Sequence, residues 1–151
     1  MNGYPSGFTL LLRLAFLAVI LSGILLVPNA LDMRLGWSVP WSLSSGARTW
    51  FVSSHAASYY LCLLLVGALW TVHMRAGWLR RENIISGMAL ISALALLALS
   101  GLLLYYAGED NVVNAAVLAH IGVGLLLPAI LMVHILGARR AKARAVRPTM
   151  S

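Results

Sequence analysis

Residues 120–134, HIGVGLLLPAILMVH, carry a histidine at each end of a run of small and aliphatic residues that contains no charged side chain. The apolar run continues on both sides, from about residue 112 to about residue 137, and about 20 apolar residues are enough for a helix to cross the hydrocarbon core of a bilayer. Histidines inside such a helix are costly, which makes them candidates for a functional role. The segment therefore predicts a transmembrane helix that carries a site.

Three further apolar runs, at about residues 8–27, 50–72 and 84–106, have similar lengths. Of the 151 residues, 61% are hydrophobic and 10% are charged, whereas soluble domains contain about 25% charged residues. This composition excludes a soluble globule, a disordered tail and a coiled coil. We expect residues 1–151 to form one all-α domain, a four-helix transmembrane bundle that runs up-down-up-down. The first run could instead be a signal peptide, but Val27-Pro28-Asn29 is a poor cleavage site.

Most of the Lys and Arg residues behind the net charge of +7 lie in two places, the connection between the second and third helices and the tail at residues 138–151. The positive-inside rule places both regions in the cytoplasm, and an even number of helices agrees with termini on one side. We therefore predict a multi-pass protein of the bacterial inner membrane with both termini cytoplasmic. The positive charge is explained by the orientation of the chain in the lipid bilayer, without a nucleic-acid partner.

All four histidines lie in the second and fourth apolar runs: His55, His73, His120 and His134. His55 and His73 are 18 residues apart, which is about five full helical turns, so both side chains leave the second helix in one direction. His120 and His134 are 14 residues apart, or about four turns, and share a face of the fourth helix. Each of these helices therefore presents two imidazoles, one above the other.

The second and fourth helices run in the same direction, so His55 shares the outer level with His120 and His73 shares the inner level with His134. A bis-histidine haem needs one imidazole on each face of the ring. The spacing thus predicts two b haems, stacked across the bilayer between the second and fourth helices. The two spacings differ by four residues, or roughly 6 Å of helical rise, which helix tilt or tilted haem planes must absorb.

Other residues are candidates for contacts with the haems. Glycines of the fourth helix allow a macrocycle to approach the backbone closely. On the second helix, Tyr59 and Cys62 are among the residues between the two histidines. These four packing candidates are Gly122, Gly124, Tyr59 and Cys62. The cations placed nearest to the haem propionates are Arg48 at the outer level, with Arg75 and Arg139 at the inner level.

Two other classes of function remain open. A haem-free membrane anchor or assembly subunit would use the histidines for packing alone. A histidine-based metal or proton transporter is the other alternative, although proton relays usually include acidic residues and no Asp or Glu lies inside the four runs. One four-histidine metal site is excluded, because metal ligands must lie close together and the histidines of each helix are roughly 21–27 Å apart.

Residues 120–134 resemble the ligand helix of integral-membrane di-haem b-type cytochromes. The four-helix shape is similar to the small cytochrome b subunits of respiratory quinone-linked oxidoreductases, such as formate dehydrogenases and nickel–iron hydrogenases. Those subunits commonly take one ligand from the first helix, which has no histidine here. Ligands from the second and fourth helices alone look more like the cytochrome b of the respiratory complex, where both spacings are near four turns.

The resemblance implies an electron-transfer subunit of a larger oxidoreductase rather than an enzyme by itself. It would move electrons between a periplasmic redox protein or oxidoreductase subunit and the membrane quinone pool. The outer connection at residues 32–49 is the expected docking surface for that partner. Polar residues beside the two haem levels are candidates for a quinone site: Tyr105, Tyr106, Glu109 and Asn114 on the outer side, and Arg75, Trp78 and Asn83 on the inner side.

Overall fold

A computed structural model describes residues 4–146 of the chain, and this part is helical with no strand. Four helices are long and apolar enough to cross a membrane, which confirms the predicted all-α class and indicates a multi-pass membrane protein. Little of each span is buried inside the bundle, as expected where lipid faces most side chains. The elements are α1 (Phe8–Leu35), α2 (Ser45–Ala68), a π-helical turn (Trp70–Met74), α3 (Arg75–Arg80), α4 (Ile84–Tyr106) and α5 (Asp110–Val146).

Helix α1 is longer than the sequence predicts, because it continues through Pro28 instead of ending there. A proline inside a helix lacks the backbone N–H of other residues, and the lost hydrogen bond lowers the stability of the helix. Here the helix nevertheless continues past it. The helix ends at Gly36, which adopts a left-handed conformation and donates its N–H to the Asp32 carbonyl at 3.0 Å. Glycine tolerates this conformation without steric cost.

The outer connection between α1 and α2 is therefore short, residues 36–44, and the predicted docking loop at 32–49 is wrong in its bounds. Its end is attached to α1 by the buried side chain of Asn29, whose amide nitrogen donates to the Leu43 carbonyl at 3.1 Å. The Leu43 N–H donates in return to the Asn29 amide oxygen at 2.9 Å. Helix α2 then begins at Ser45, earlier than predicted, after an N-cap contact from the Ser44 hydroxyl.

The inner end of α2 continues into the π-helical turn, where the N–H of Met74 donates to the carbonyl of Leu69 at 3.0 Å. Helix α3 follows directly, so the helical path extends well beyond the predicted end at residue 72. Helix α5 also extends past its predicted end, from residue 137 to Val146, so part of the basic tail is helical. Residues 147–151 of that tail lie outside the described residues.

The bundle consists of two packed pairs, α1 with α2 and α4 with α5, joined mainly where α1 meets α5. The histidine-bearing helices α2 and α5 make few close backbone approaches to each other. Apolar side chains from α1, α2, α4 and α5 form the core: Ala15, Phe16, Val19, Cys62, Leu65, Ala93, Leu94, Leu97 and Leu127. On α2 and α5 these residues fall between the two histidines of the helix, so the core separates the two histidine levels.

Candidate functional site

The structure brings the four histidines together as two pairs. The ring centroids of His55 and His120, the outer pair, are 6.2 Å apart with an angle of 70° between the ring planes. The rings of His73 and His134, the inner pair, are 6.0 Å apart at 75°. These are the partners that the helical spacing predicts, and each pair joins α2 or its π-helical continuation to α5.

The separation within each pair fits two ligands on opposite sides of one metal ion. A metal-bound imidazole nitrogen lies about 2.0 Å from the ion, and the nitrogen lies about 1.1 Å from its own ring centroid. Two imidazoles on opposite sides therefore place their centroids about 6.3 Å apart. Edge-to-face packing of two rings produces similar distances, so the hydrogen bonds of the rings must distinguish the two arrangements.

Three of the four imidazoles contact a serine through Nδ1. The Nδ1 atom lies 3.0 Å from the Ser22 hydroxyl in His55, 2.9 Å from Ser100 in His120 and 3.0 Å from Ser86 in His134. Each serine hydroxyl also donates to a backbone carbonyl of its own chain segment. A hydroxyl has one hydrogen, so a serine that donates to its backbone carbonyl can only accept from Nδ1–H of the histidine.

His55 shows the position of the ring hydrogen most directly. Its Nδ1 lies 3.1 Å from the carbonyl oxygen of Val19, and a carbonyl can only accept, so Nδ1 carries the hydrogen. A neutral imidazole protonated at Nδ1 has its lone pair on Nε2. Metal-binding histidines commonly have this arrangement, with the second nitrogen donating to an outer group that orients the ring.

If His120 is protonated at Nδ1 like His55, both Nε2 atoms of the outer pair are acceptors. Within residues 4–146, neither Nε2 atom accepts or donates a hydrogen bond. Two acceptors cannot hydrogen-bond to each other, whereas a metal ion between them would bind both lone pairs. This favours a ligand role over edge-to-face packing.

A glycine follows each of these serines in the chain and lies against the same imidazole. A Cβ atom on Gly23 would lie 3.0 Å from Cε1 of His55, and the corresponding distances are 3.5 Å for Gly101 with His120 and 3.6 Å for Gly87 with His134. We call these three dipeptides the Ser-Gly motifs: Ser22-Gly23, Ser86-Gly87 and Ser100-Gly101. In each, the serine orients the ring and the glycine leaves space for its edge.

Sequence reasoning missed the Ser-Gly motifs, although a signal for two of them is present. Ser86 and Ser100 are 14 residues apart, the same spacing as His120 and His134. In antiparallel neighbouring helices, equal spacings allow both contacts to form together. This signal becomes informative once the structure shows that α4 and α5 are neighbours.

His73 differs from the other three histidines. It lies in the π-helical turn, its side chain is exposed, and its ring makes no hydrogen bond within the described residues 4–146. A π-helical turn holds more residues per turn than an α-helix. It therefore takes up part of the four-residue excess between the two histidine spacings and lets His73 reach the level of His134.

A cleft of about 370 Å³ opens beside the inner pair, lined by His73, Gly77, Arg80, Glu82, Asn83, His134, Ala138 and Ala141. Arg80 forms an ion pair with Glu82, with 2.9 Å between Nε and Oε2. Asn83 lies close to α5, since a Cβ on Gly137 would be 2.6 Å from its amide oxygen. Among the predicted quinone candidates, Asn83 is the one that lines this cleft.

The predicted packing residues lie in several environments. Cys62 is 1% exposed and belongs to the core between the two histidine levels. The Tyr59 hydroxyl donates to the Leu94 carbonyl of α4. Gly124 lies against α4, where a Cβ would be 3.8 Å from the Leu97 side chain, and a Cβ on Gly122 would contact nothing within 4 Å.

The predicted propionate cations do not lie in the cleft beside the inner pair. Arg75 and Arg139 are exposed, and Arg80 is the arginine that lines the cleft. At the outer end, the guanidinium of Arg48 contacts the sulfur of Met33. The sequence alone does not distinguish Arg80 as a candidate for a propionate contact, because it is one of several basic residues in the same connection.

Within residues 4–146, no three His, Cys, Asp or Glu side chains lie close enough together to hold a metal ion. Each histidine pair therefore offers two protein ligands, and the remaining positions of a metal would be filled by another group. Helices α2 and α5 make few close backbone approaches to each other, unlike directly packed helices, whose axes are about 8–10 Å apart. A planar macrocycle fits both features.

Comparisons with known proteins found no similar family or relative. No protein-family model, no curated protein and no solved structure matches this chain.

Proposed function

We propose that this chain is a membrane electron-transfer subunit that binds two bis-histidine b haems stacked across the bilayer. The observation that carries the proposal is the outer pair, in which two imidazoles that each contact a serine through Nδ1 have their ring centroids 6.2 Å apart, a separation suited to one iron between them. The inner pair repeats the separation. Bound haem supplies reversible one-electron chemistry at its iron.

The residues of the chain would each have a defined part in this function. The histidines would bind the haem iron, and the serines would fix the tautomer and the ring orientation, which would also raise the basicity of the ligand nitrogen. The core around Cys62 and Leu127 excludes water from the space between the two levels. Together these features favour two separate redox centres over a single site.

Within residues 4–146, little of the chain lies outside the helices. The connections at residues 36–44 and 107–109 are short, so the substrate chemistry would belong to a partner, a periplasmic redox protein or an oxidoreductase subunit. We infer exchange with the membrane quinone pool on the same basis. The basic residues of the inner connection and tail support a bacterial inner-membrane protein with cytoplasmic termini.

A cofactor assay of the purified full chain tests the proposal. We expect a b-type absorption spectrum and two haems per chain by the pyridine haemochrome assay. Elemental analysis should find iron at the same ratio. A folded, colourless protein from haem-replete cells would contradict the proposal and favour the haem-free anchor. Stoichiometric copper or zinc without porphyrin would favour the metal-transport alternative.

A further inference from the structure

The two helical pairs of the bundle follow one plan. In each pair, Ser-Gly motifs of the first helix contact histidines of the second, with two such contacts in the α4–α5 pair and one in the α1–α2 pair. In α4 and α5, Ser86-Gly87 contacts His134 and Ser100-Gly101 contacts His120. In α1 and α2, Ser22-Gly23 contacts His55. By this plan, His73 should have its own motif near the start of α1.

The sequence contains such a dipeptide at the required place. Ser6-Gly7 lies 16 residues before Ser22-Gly23, and His73 lies 18 residues after His55. These spacings correspond to roughly 24 Å along α1 and roughly 27 Å along α2 at the rise of an α-helix. Because Ser6 precedes the start of α1 at Phe8 and the π-helical turn is part of the second path, both residues lie toward the same end of the α1–α2 pair.

A direct contact shows that the segment before α1 lies next to the π-helical turn. The Tyr4 hydroxyl donates to the carbonyl of Leu69 at 3.4 Å, and Leu69 also accepts from the N–H of His73 at 2.9 Å. The segment before α1 therefore lies beside the turn that carries His73. Both partners are open to contact, since Ser6 and His73 are exposed.

We propose that Ser6 is the serine partner of His73 and that the Ser6 hydroxyl accepts a hydrogen bond from Nδ1–H of His73 when the inner haem is bound. Ser6 is thus a positioning residue for the inner haem, and this inference rests on the function proposed above. A Cβ on Gly7 would contact nothing within 4 Å, so Ser6-Gly7 shares the serine of the Ser-Gly motifs and not the contact of their glycine with a ring. Gly7, at φ +91°, directs the chain from Ser6 into α1 in a conformation that other residues rarely adopt.

Redox titration of the haem-loaded full chain, followed optically and by electron paramagnetic resonance, tests this role. Loss of a hydrogen bond from Nδ1–H weakens electron donation by the ligand, so the midpoint potential of the affected haem should rise. Ser6→Ala should raise the potential of the same haem that Ser86→Ala affects. Ser22→Ala and Ser100→Ala should act on the other haem.

Two variants control for effects of the substitution itself. Ser45→Ala alters another Ser-Gly dipeptide, at the start of α2 and ten residues before His55, which is roughly 15 Å along the helix, so both potentials should stay unchanged. Ser6→Thr keeps a hydroxyl and should preserve the inner potential, even if Ser6→Ala releases the inner haem. The inference is overturned if Ser6→Ala behaves like Ser45→Ala or if Ser6→Thr behaves like Ser6→Ala. Failure of the proposed function is distinguishable, because the unmodified protein would then contain no pair of b haems.

Discussion

The outer and inner histidine pairs have nearly equal ring separations but are held differently. Both outer imidazoles donate to a serine, and His55 has a carbonyl acceptor as well. In the inner pair, His134 contacts Ser86, while His73 is exposed on a π-helical turn. Equal ring separations therefore coexist with unequal support. In the proposed function, the two haems should then differ in potential and in stability.

The largest expected effect comes from removing one ligand of either pair. His120→Ala should lower the haem content from two to one per chain by removing the outer haem, and His134→Ala should do the same at the inner level. Each pair has two ligands, and the core separates the levels, so the second haem should remain. The pyridine haemochrome assay and the resonance spectrum of the remaining haem measure this.

Leu126→Ala is the matched control for the ligand variants, since Leu126 is exposed on the same helix α5 and should retain both haems. Unchanged haem content in His120→Ala would contradict the ligand assignment. Loss of both haems from each histidine variant would contradict the independence of the two levels.

Replacing a glycine of a Ser-Gly motif by alanine should change the stability of the protein according to how closely the glycine lies to the imidazole. Gly23→Ala places Cβ 3.0 Å from the His55 ring, whereas Gly87→Ala places it 3.6 Å from the His134 ring. Overpacking costs about 1–3 kcal/mol, and the gain in helix propensity from Gly to Ala is about 1 kcal/mol. We expect Gly23→Ala to be destabilising and Gly87→Ala to be neutral or stabilising.

Thermal unfolding of the haem-loaded protein, monitored at the haem absorption band, measures this difference. Gly67→Ala provides the reference for helix propensity, because a Cβ there contacts nothing within 4 Å. Relative to Gly67→Ala, Gly23→Ala should be less stable by about 1–3 kcal/mol. Equal stability of the two variants would show that the ring of His55 moves away without cost.

The parts of this arrangement that follow from helix periodicity could be predicted from the sequence. Four apolar runs indicate the four spans, and the spacings of the histidines indicate their two levels, because the rise and turn of an α-helix are nearly constant. The end of α1 could not be predicted in the same way. The first apolar run ends at about residue 27, while the end of the helix depends on Gly36 and on the contact of Asn29 with Leu43.

The π-helical turn and the Ser-Gly motifs lie beyond single-sequence reasoning for a different reason. The turn helps to bring His73 of one helical path to the level of His134 of α5. This alignment depends on both helices together and cannot be read from residues 70–74 alone. Serine and glycine are common residues, and Ser45-Gly46 has the same sequence as the motifs without contacting a histidine. Only the pairing of the helices shows which dipeptides face an imidazole.

The serines of the two pairs should differ in how much they change the midpoint potential. In Ser86→Ala, His134 loses its serine acceptor, and a hydrogen bond contributes about 0.5–1.5 kcal/mol. This corresponds to a rise of about 20–60 mV for a one-electron couple. In Ser22→Ala, Nδ1 of His55 still lies beside the Val19 carbonyl, so the rise should be less than half as large.

Potentiometric titration of the two variants measures the difference, with Ser45→Ala as the control. A larger shift in Ser22→Ala than in Ser86→Ala would show that the Val19 carbonyl does not replace the hydroxyl. That result would also weaken the distinction between the outer and inner pairs.

The smallest expected effect concerns the charges of the inner cleft. Arg80 and Glu82 form an exposed ion pair there, and water screens such pairs, so each charge should contribute about 0–1 kcal/mol, or up to about 40 mV. Arg80→Gln removes a positive charge near the inner haem and should lower its potential, because the reduced state carries one more negative charge. Glu82→Gln should raise it.

Both shifts should shrink as salt increases, and Arg75→Gln, outside the cleft, should change the potential less than either. Equal shifts of both haems in Arg80→Gln would indicate a general surface potential rather than a charge specific to the inner pair.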